Sequence, residues 1–300
     1  MNPAPPKIYG LIGYPVKHSF SPIMHNAAFR YLGIDAEYRL FSIKPEELEK
    51  FFLKDITVKD TNGNDVHAKD ILGFNVTIPH KERSLDFVSL DSESAYLSQI
   101  GAINTVVRRD GICQGFNTDI AGFQWHLTEK NFFNPQGKQA AILGAGGAGR
   151  AVAYVLAKTR VSKIVIFDID NQKSKGVVDM VKSLFSQPQV SCVDAIEQLD
   201  LLNKDLLVNA TPIGLKQTDP CLVKPQMLHN ELFVYDLIYN PLETKLLALA
   251  RKAGASASNG LGMLQYQGAL SFQLFTGGQA PIDKIFRIMG QALRQEIDKL

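Results

Sequence analysis

Short apolar runs alternate with amphipathic stretches along the first third of the chain, a pattern that predicts strands alternating with helices. Ser21 is expected to cap the first of these helices. Asp110-Gly111 lies between two extended runs and predicts a hairpin, whereas the polar segment 59–70 predicts a surface loop. The predicted strands are KIYGLIGYP, AEYRLFSI and ILGFNVTI, and the predicted helices are SPIMHNAAFRYLG and PEELEKFFL.

The pattern changes near Phe132, where the segment NFFNPQGK predicts a linker. Beyond the linker, apolar strands lead into turns and are separated by helical stretches. Strands that alternate with helices predict a parallel, doubly wound sheet of the Rossmann type. The segments with this plan are QAAILGAGGAGRAVAYVLAK, KIVIFDID, DLLVNATPIGL and ELFVYDLIY, and the final stretches LQYQGALSFQLFTGG and IDKIFRIMGQALRQEIDKL are expected to be helical.

A glycine-rich turn follows the first of these strands and opens a helix. In GxGxxG, one glycine makes the tight turn, one lets the backbone approach a pyrophosphate, and one lets the helix pack closely on the strand. The N-terminus of the helix then faces the phosphates with unpaired N–H groups. The turn therefore predicts a dinucleotide site. Its expected cofactor-binding positions are Gly144, Ala145, Gly146, Gly147, Ala148 and Gly149.

The next strand ends in Asp168, where an acidic residue accepts hydrogen bonds from an adenosine ribose. A carboxylate at this position pairs with a free 2′-hydroxyl and repels a 2′-phosphate. Asp170 adds a second negative charge, whereas Lys173 and Lys175 could hold a phosphate. Because Asp168 is expected to be the closest charged group, the sequence predicts that NAD is favoured over NADP.

Lys81 follows an apolar run that stops at Pro79. A single lysine in such a place is usually a solvated loop charge. Here, however, further polar side chains stand where strands give way to loops, the usual position of a ligand crevice. Uncharged donors and acceptors suit a polyhydroxylated small molecule, and two serines at a helix start suit a carboxylate. The residues in question are Asn75, Thr77, Asn104, Thr105, Asn117 and Asp119, with Ser19 and Ser21 at the helix start.

Composition narrows the class of protein. The 300 residues carry a formal charge of +2 without a basic block, so neither a nucleic acid nor a membrane surface is an expected partner. Three scattered cysteines, Cys113, Cys192 and Cys221, argue against a disulfide framework and for a reducing cytoplasm. The histidines show no metal-binding spacing, so no metal site is expected. The N-terminus lacks the plan of a signal peptide, and no apolar run approaches the roughly 20 residues that span a bilayer.

Several spaced motifs make the chain resemble a shikimate dehydrogenase. The resemblance implies reversible reduction of 3-dehydroshikimate to shikimate with a nicotinamide cofactor, in the route to chorismate and the aromatic amino acids. It also implies an α/β substrate domain, 1–118, completed by C-terminal helices at 260–300, with the dinucleotide-binding domain, 119–259, inserted between them. The matching motifs are GYPVKHSFSPIMHN, NVTIPHK, GAINTV, GFNTD, GAGGAGRA, NATPIG and NGLGMLQYQG.

The resemblance assigns roles residue by residue. Lys81 and Asp119 would be the catalytic pair, with Lys81 giving a proton to the developing alkoxide during reduction. Ser19 and Ser21 would hold the substrate carboxylate. The other implied contacts are Asn75, Thr77, Asn104, Gln267 and Tyr239 for the substrate, and Thr211 and Gly260 for the cofactor.

Two features depart from the commoner family pattern. Members that use NADP usually carry Asn-Arg-Thr after the second strand of the nucleotide domain, whereas this chain has DIDNQK there, which resembles the NAD-using quinate/shikimate branch. The segment 54–70 is also longer than expected and has no known role. Because DIDNQK resembles that branch, a dehydrogenase acting mainly on quinate is the nearest alternative. An idle nucleotide-sensing module is a more distant one. The chain is expected to be a monomer or a homodimer.

Overall fold

The computed structural model describes residues 5–278 and 281–299. By its internal contacts the chain divides into two compact units, Met1–Thr118 with Gln265–Leu300, and Asp119–Leu264. The N-terminal residues 1–4, together with positions 279, 280 and 300 of the C-terminal segment expected to be helical, lie outside the described residues. The predicted α/β fold class is confirmed, with a parallel Rossmann-type sheet in the second unit and a separate mixed sheet in the first.

Within the described residues, the elements have the following bounds. The strands are β1 Lys7–Gly13, β2 Ala36–Ser42, β3 Thr57–Lys59, β4 Asp65–His67, β5 Ile71–Val76, β6 Thr105–Arg109, β7 Ile112–Phe116, β8 Gln139–Leu143, β9 Lys163–Phe167, β10 Gln189–Val193, β11 Leu206–Asn209, β12 Phe233–Asp236 and β13 Ser256–Asn259. The α-helices are α1 Ser21–Tyr31, α2 Leu48–Leu53, α3 Leu97–Ile100, α4 Thr118–Trp125, α5 Gly147–Lys158, α6 Asn171–Leu184, α7 Lys245–Lys252, α8 Leu261–Thr276 and α9 Ile282–Ile297.

The first unit is built on a mixed sheet with the order β2-β1-β5-β6-β7. The strand β1 pairs in parallel with β2 and β5, and β6 and β7 continue the sheet antiparallel. Asp110 and Gly111 both have positive φ, 50° and 79°, as a two-residue hairpin turn with the twist of its strands requires. The predicted hairpin is therefore confirmed. On one face of the sheet, α1 packs against α9.

The start of α1 differs from the prediction that Ser21 is its cap. The helix begins at Ser21 itself, after Phe20, and no side chain caps it. Instead, the Ser21 N–H donates to Ser19 Oγ at 3.2 Å, and Ser19 Oγ donates to Ser21 Oγ at 3.1 Å. Ser21 is therefore the first residue of the helix and not its cap, and its N–H is bound by the side chain of Ser19.

The segment 59–70, predicted to be a surface loop, is in part regular structure. It contains β4 and the last residue of β3, and these two strands pair antiparallel and are joined through Asn62-Gly63. The Asp60 carboxylate stabilises the turn by accepting N–H groups of Asn62 and Asn64, each at 2.9 Å. Val58 and Val66 supply an apolar face, and both are only 8% exposed. Burial of these two valines, together with Ala68 at 0% exposure, helps to keep so polar a segment ordered.

The second unit carries a parallel six-stranded sheet, β10-β9-β8-β11-β12-β13. Numbered within the unit, this is the order 3-2-1-4-5-6 of a doubly wound dinucleotide-binding fold. The strand order reverses between β8 and β11, and ligands of such sheets bind at the carboxyl ends of the strands at that point. The predicted sheet is confirmed, and a cofactor site is expected at the carboxyl ends of β8 and β11.

No helix in residues 5–278 and 281–299 combines the length and apolar composition needed to cross a bilayer. The same residues contain no group of three or more potential metal-ligating His, Cys, Asp or Glu side chains.

A buried carboxylate joins the ends of two central strands in the second unit. Asp236 ends β12 and is 0% exposed. Its Oδ1 accepts hydrogen bonds from Asn209 Nδ2 at 3.0 Å and from the Ile238 N–H at 3.1 Å, and its Oδ2 accepts one from Thr244 Oγ1 at 2.7 Å. Burial raises the pKa of Asp236 to about 6, against the opposing effect of these three hydrogen bonds. The carboxylate thereby connects β11, β12 and the N-cap of α7.

This pKa shift predicts a measurable dependence of stability on pH. Because the folded chain holds the Asp236 proton more tightly than the unfolded chain, the stability contributed by this group is lost as pH rises from about 4 through about 6. Asp236→Asn mimics the protonated carboxyl. We expect its free energy of unfolding, relative to the native chain, to rise by about 1–2 kcal/mol between pH 5 and pH 7.5. Urea unfolding of both proteins at the two pH values measures the difference.

Asp205→Asn is the matched control, because Asp205 precedes the neighbouring strand β11 in the same sheet. Burial raises the pKa of Asp205, but hydrogen bonds from Lys138 and the Gln139 N–H outweigh it, so the net pKa is lowered. Its contribution to stability has therefore levelled off above pH 5. The free energy of unfolding of Asp205→Asn should differ from that of the native chain by the same amount at both pH values. The prediction would be contradicted if this difference changed with pH as much for Asp205→Asn as for Asp236→Asn.

Candidate active site

Lys81 lies in a turn whose backbone is fixed on both sides. The turn follows β5, and the Thr77 N–H donates to the Ile12 carbonyl of β1 at 2.9 Å. Lys81 is half-buried, and its own carbonyl accepts the Ile103 N–H at 3.0 Å. These bonds hold the main chain of Lys81 next to the start of β6, so its position is that of an ordered turn residue at a strand end.

His80 holds the same turn through a buried hydrogen bond. Its ring is 1% exposed, and Nε2 lies 2.7 Å from the Ile43 carbonyl oxygen. A carbonyl can only accept, so Nε2 carries the hydrogen. Burial lowers the pKa of His80, against the opposing effect of the Ile43 carbonyl. His80 thus has a structural role in this turn.

Amides and hydroxyls of four elements meet at the carboxyl end of β5 in the first unit. We call this group the amide–hydroxyl cluster, and all its members are buried. Asn75 Nδ2 donates to Thr105 Oγ1 at 2.9 Å and to Ser271 Oγ at 2.8 Å, and Ser271 Oγ also lies 3.0 Å from Thr118 Oγ1. The members of the cluster are Asn75, Asn104, Thr105, Thr118, Gln267 and Ser271.

Backbone groups show which atom of each asparagine amide is the oxygen and which is the nitrogen. The Thr118 N–H can only donate, and it lies 2.7 Å from Asn104 Oδ1. Asn104 Nδ2 consequently faces Gln267 Oε1, at 3.3 Å. The Asn104 carbonyl can only accept, and it lies 3.3 Å from Asn75 Nδ2. The sequence-predicted residues Asn75, Asn104 and Gln267 are therefore brought together, each with a defined orientation.

The remaining predicted substrate residues lie at several places. Thr77 follows β5 directly and is half-buried, and Ser19 and Ser21 lie at the start of α1, where Ser21 is buried. Asp119 is 5% exposed in the first turn of α4. Tyr239 is half-buried in the second unit, three residues beyond Asp236. Their contacts with a substrate stay predictions.

Three residues of this region were missed by sequence reasoning. Thr118 and Ser271 complete the cluster, and Tyr38 Oη lies 2.8 Å from Asn75 Oδ1. A signal existed for Ser271, because it stands four residues after Gln267 in an apolar helix and so shares its face. Tyr38 gave no comparable signal, since its partner lies on another strand.

In the second unit, the backbone of the glycine-rich turn requires glycine at two of its positions. Gly144 has φ +96°, which side chains rarely adopt. A Cβ on Gly149 would lie 2.1 Å from the Gly144 carbonyl oxygen. The helix α5 then begins at Gly147, with Gly146 as its N-cap. The turn is therefore tightly packed and leads directly into α5, whose first N–H groups could bind a phosphate.

Asp168 and Asp170 are both engaged by main-chain donors. Asp168 Oδ2 accepts the Ala145 N–H at 2.7 Å, and Asp168 Oδ1 accepts the Asp170 N–H at 2.9 Å. Asp170 caps α6 by accepting the Gln172 N–H at 3.0 Å. The Asp168 carboxylate thus braces the glycine-rich turn, and part of the Asp170 charge is balanced by the helix terminus.

Thr211 lies in a loop that is organised by Asn209 at the end of β11. Asn209 Oδ1 accepts the Thr211 N–H at 3.1 Å and the Thr211 hydroxyl at 2.7 Å. Gly260, which follows β13, packs against the chain just after β12, since a Cβ on Gly260 would lie 2.1 Å from the Leu237 carbonyl oxygen. Both predicted cofactor residues thus lie in tightly constrained backbone at or near strand ends.

Two family models match the chain. One, described as the shikimate dehydrogenase substrate binding domain, matches residues 11–106, and the other, described as the shikimate 5'-dehydrogenase C-terminal domain, matches residues 260–285. A relative from Methanopyrus kandleri, named shikimate dehydrogenase (NADP(+)), is 41% identical over 293 residues, which cover 96% of each chain.

Solved structures agree with this result. A shikimate dehydrogenase in complex with NADP+ has a TM-score of 0.79 at 37% identity, covering 99% of this chain and 98% of its own. A shikimate 5-dehydrogenase from Thermus thermophilus, in complex with NADP(H) and shikimate, has a TM-score of 0.74 at 30% identity, covering 95% and 99%.

The prediction that NAD is favoured over NADP is wrong. The M. kandleri relative and four others at 38% to 40% identity are named shikimate dehydrogenase (NADP(+)). The sequence argument counted Asp168 and Asp170 as negative charges free to act on the ribose. In the structure both accept main-chain N–H groups, so their positions reflect the support of a turn and a helix.

The similarity extends over the whole chain. The family models match segments of both the first third and the C-terminal part, and the relatives align almost from end to end at well above 30% identity. The chain is therefore an oxidoreductase that belongs to the shikimate dehydrogenase family.

Proposed function

We propose that the chain catalyses the reversible, NADP-dependent reduction of 3-dehydroshikimate to shikimate, as a step toward chorismate and the aromatic amino acids. The observation that carries this proposal is the amide–hydroxyl cluster at the carboxyl end of β5. It is buried, uncharged and oriented, and it lies in the same unit as the turn that holds Lys81.

Neutral groups of this kind select a substrate by its hydroxyls. A site built to hydrogen-bond a hydroxyl strongly rejects an analogue that lacks it, because buried polar groups are then left unpaired. Shikimate offers ring hydroxyls to such a cluster, and its carboxylate suits the helix start at Ser19 and Ser21. We therefore keep the serines as the carboxylate contact, and Asn75, Thr77, Asn104, Gln267 and Tyr239 as the remaining substrate contacts.

Lys81 is the proposed acid. A lysine ammonium is protonated at neutral pH and can give a proton, or a strong hydrogen bond, to the oxygen that becomes an alkoxide during reduction. The fixed main chain of the turn favours this role, since proton transfer depends on a defined distance. Asp119, buried in α4, is the proposed partner of Lys81 in the catalytic pair.

The second unit fits a dinucleotide. The glycine-rich turn packs too closely to admit side chains at Gly144 and Gly149, and Thr211 and Gly260 lie in constrained segments at or near strand ends. Bound NADPH would supply the hydride for the reduction. Lys173 and Lys175 are the proposed cations for the 2′-phosphate. Both are exposed at the start of α6, which follows β9, the second strand of the sheet.

One assay tests the proposal directly. Initial rates are measured by absorbance at 340 nm with shikimate or quinate, each combined with NADP or NAD. The expected result is that shikimate with NADP gives the highest kcat/KM. Faster turnover of quinate would transfer the proposal to that substrate, and binding of NADPH without turnover of either acid would overturn it.

Removing the proposed acid should lower turnover more than binding. For Lys81→Met we expect kcat to fall by about 10²- to 10⁴-fold, the usual contribution of a general acid, while the KM for shikimate changes little. Steady-state kinetics in both directions measure this. Lys59→Met, on the exposed hairpin strand β3, is the control and should leave kcat unchanged. A Lys81 variant that keeps more than about a third of the native kcat would exclude Lys81 from the chemistry.

The phosphate assignment has its own test. Lys173→Gln should raise the KM for NADP by about 3- to 10-fold through loss of one partly exposed charge, with kcat preserved. Lys182→Gln is matched to it, since Lys182 is equally exposed but lies in the last turn of the same helix. If both variants show the native KM for NADP, the 2′-phosphate is not held by the first turn of α6.

A further inference from the structure

Tyr38 is held in place from two sides within the first unit. Asn26 brackets its main chain, because the Tyr38 N–H donates to Asn26 Oδ1 at 2.7 Å and Asn26 Nδ2 donates to the Tyr38 carbonyl at 3.0 Å. Its ring is 1% exposed and stacks on His25, with centroids 4.2 Å apart and planes 7° from parallel. The phenol can therefore move very little.

His25 serves as a neutral platform for this ring. It is 0% exposed, and within the described part of the chain neither ring nitrogen has a hydrogen-bond partner. Burial lowers the pKa of His25 to about 3, so the ring is uncharged at neutral pH. An uncharged His25 ring gives the phenol ring of Tyr38 a stacked support without an ionic contact.

The direction of that bond follows from the partners of Asn75. Asn75 Nδ2 faces the Asn104 carbonyl, Thr105 Oγ1 and Ser271 Oγ, so its two hydrogens have three acceptors within the protein. Oδ1 must then face Tyr38, and the phenol donates to it at 2.8 Å. One lone pair of Asn75 Oδ1 is left, so Asn75 can accept from a ligand but cannot donate to it.

We propose that Tyr38 is a positioning residue that fixes the Asn75 amide so that Oδ1 accepts a hydrogen bond from one non-reacting hydroxyl of the substrate. The inference rests on the proposed function and deepens it, because it assigns a donor hydroxyl to Asn75. Without the phenol donor, Oδ1 loses the partner that holds it in this direction. The substrate hydroxyl then meets an amide that is less firmly oriented.

The experiment compares Tyr38→Phe with Tyr9→Phe. The control is closely matched, because Tyr9 is the register partner of Tyr38 on β1, is 6% exposed, and donates its hydroxyl to the Phe275 carbonyl at 3.3 Å. We expect Tyr38→Phe to lower kcat/KM for shikimate by about 3- to 10-fold, the worth of one neutral hydrogen bond, with the KM for NADP unchanged. Tyr9→Phe should leave both values at the native level.

Two substrate analogues, each lacking one of the two non-reacting hydroxyls of shikimate, separate positioning from a general loss of structure. With one analogue, the native chain and Tyr38→Phe should have equal kcat/KM, whereas with the other the difference should persist. A Tyr38 effect that persists with both analogues, or that Tyr9→Phe reproduces, would overturn the inference. Absence of shikimate turnover by the native chain would overturn the proposed function itself, and the two failures are thereby distinguished.

Discussion

A buried amide needs a partner for each of its polar atoms, and this constraint governs the first unit. The Asn104 side chain illustrates it most clearly, because its oxygen takes the Thr118 N–H at the start of α4 while its nitrogen faces Gln267 of α8. Asn75 adds β5 to the same network through Ser271. None of these segments can shift without leaving a buried group unpaired, which costs about 1–3 kcal/mol for each group. The bonds that stabilise the fold thus also orient the proposed substrate contacts.

The second unit meets the same constraint with carboxylates at strand ends. Asp168 accepts the N–H of the glycine-rich turn, and Asp236 accepts the amide of Asn209, which in turn organises the loop with Thr211. A carboxylate that accepts main-chain hydrogen bonds has part of its charge offset locally. Its effect on a bound phosphate therefore cannot be judged from its place in the sequence, which is why counting charges near the ribose gave the wrong cofactor.

What the sequence could predict depended on how local the signal was. The doubly wound sheet, the glycine-rich turn and the Asp110-Gly111 hairpin follow from periodicity and from residues that tolerate positive φ, and all three are present. The pair β3 and β4 escaped prediction although Asn62-Gly63 was visible, because the strands are short and few residues of this polar segment are buried. At α1, the error was to make Ser21 the cap, because a serine at a helix start does not by itself distinguish the cap from the first helical residue.

Contacts made across strands could not be predicted, because they depend on register. In the parallel pairing of β1 with its neighbours, Tyr9 lies beside Tyr38 and Leu11 lies beside Asn75. The Tyr38 hydroxyl must therefore reach across β1 to meet an amide 37 residues later in the chain. A shift of one residue in either pairing would turn a side chain to the opposite face of the sheet and separate the two. The register of the sheet is set by its buried apolar faces, and it also decides which hydroxyl lies close enough to orient Asn75. The same strand pairing thus determines both the packing of the sheet and the proposed substrate contact.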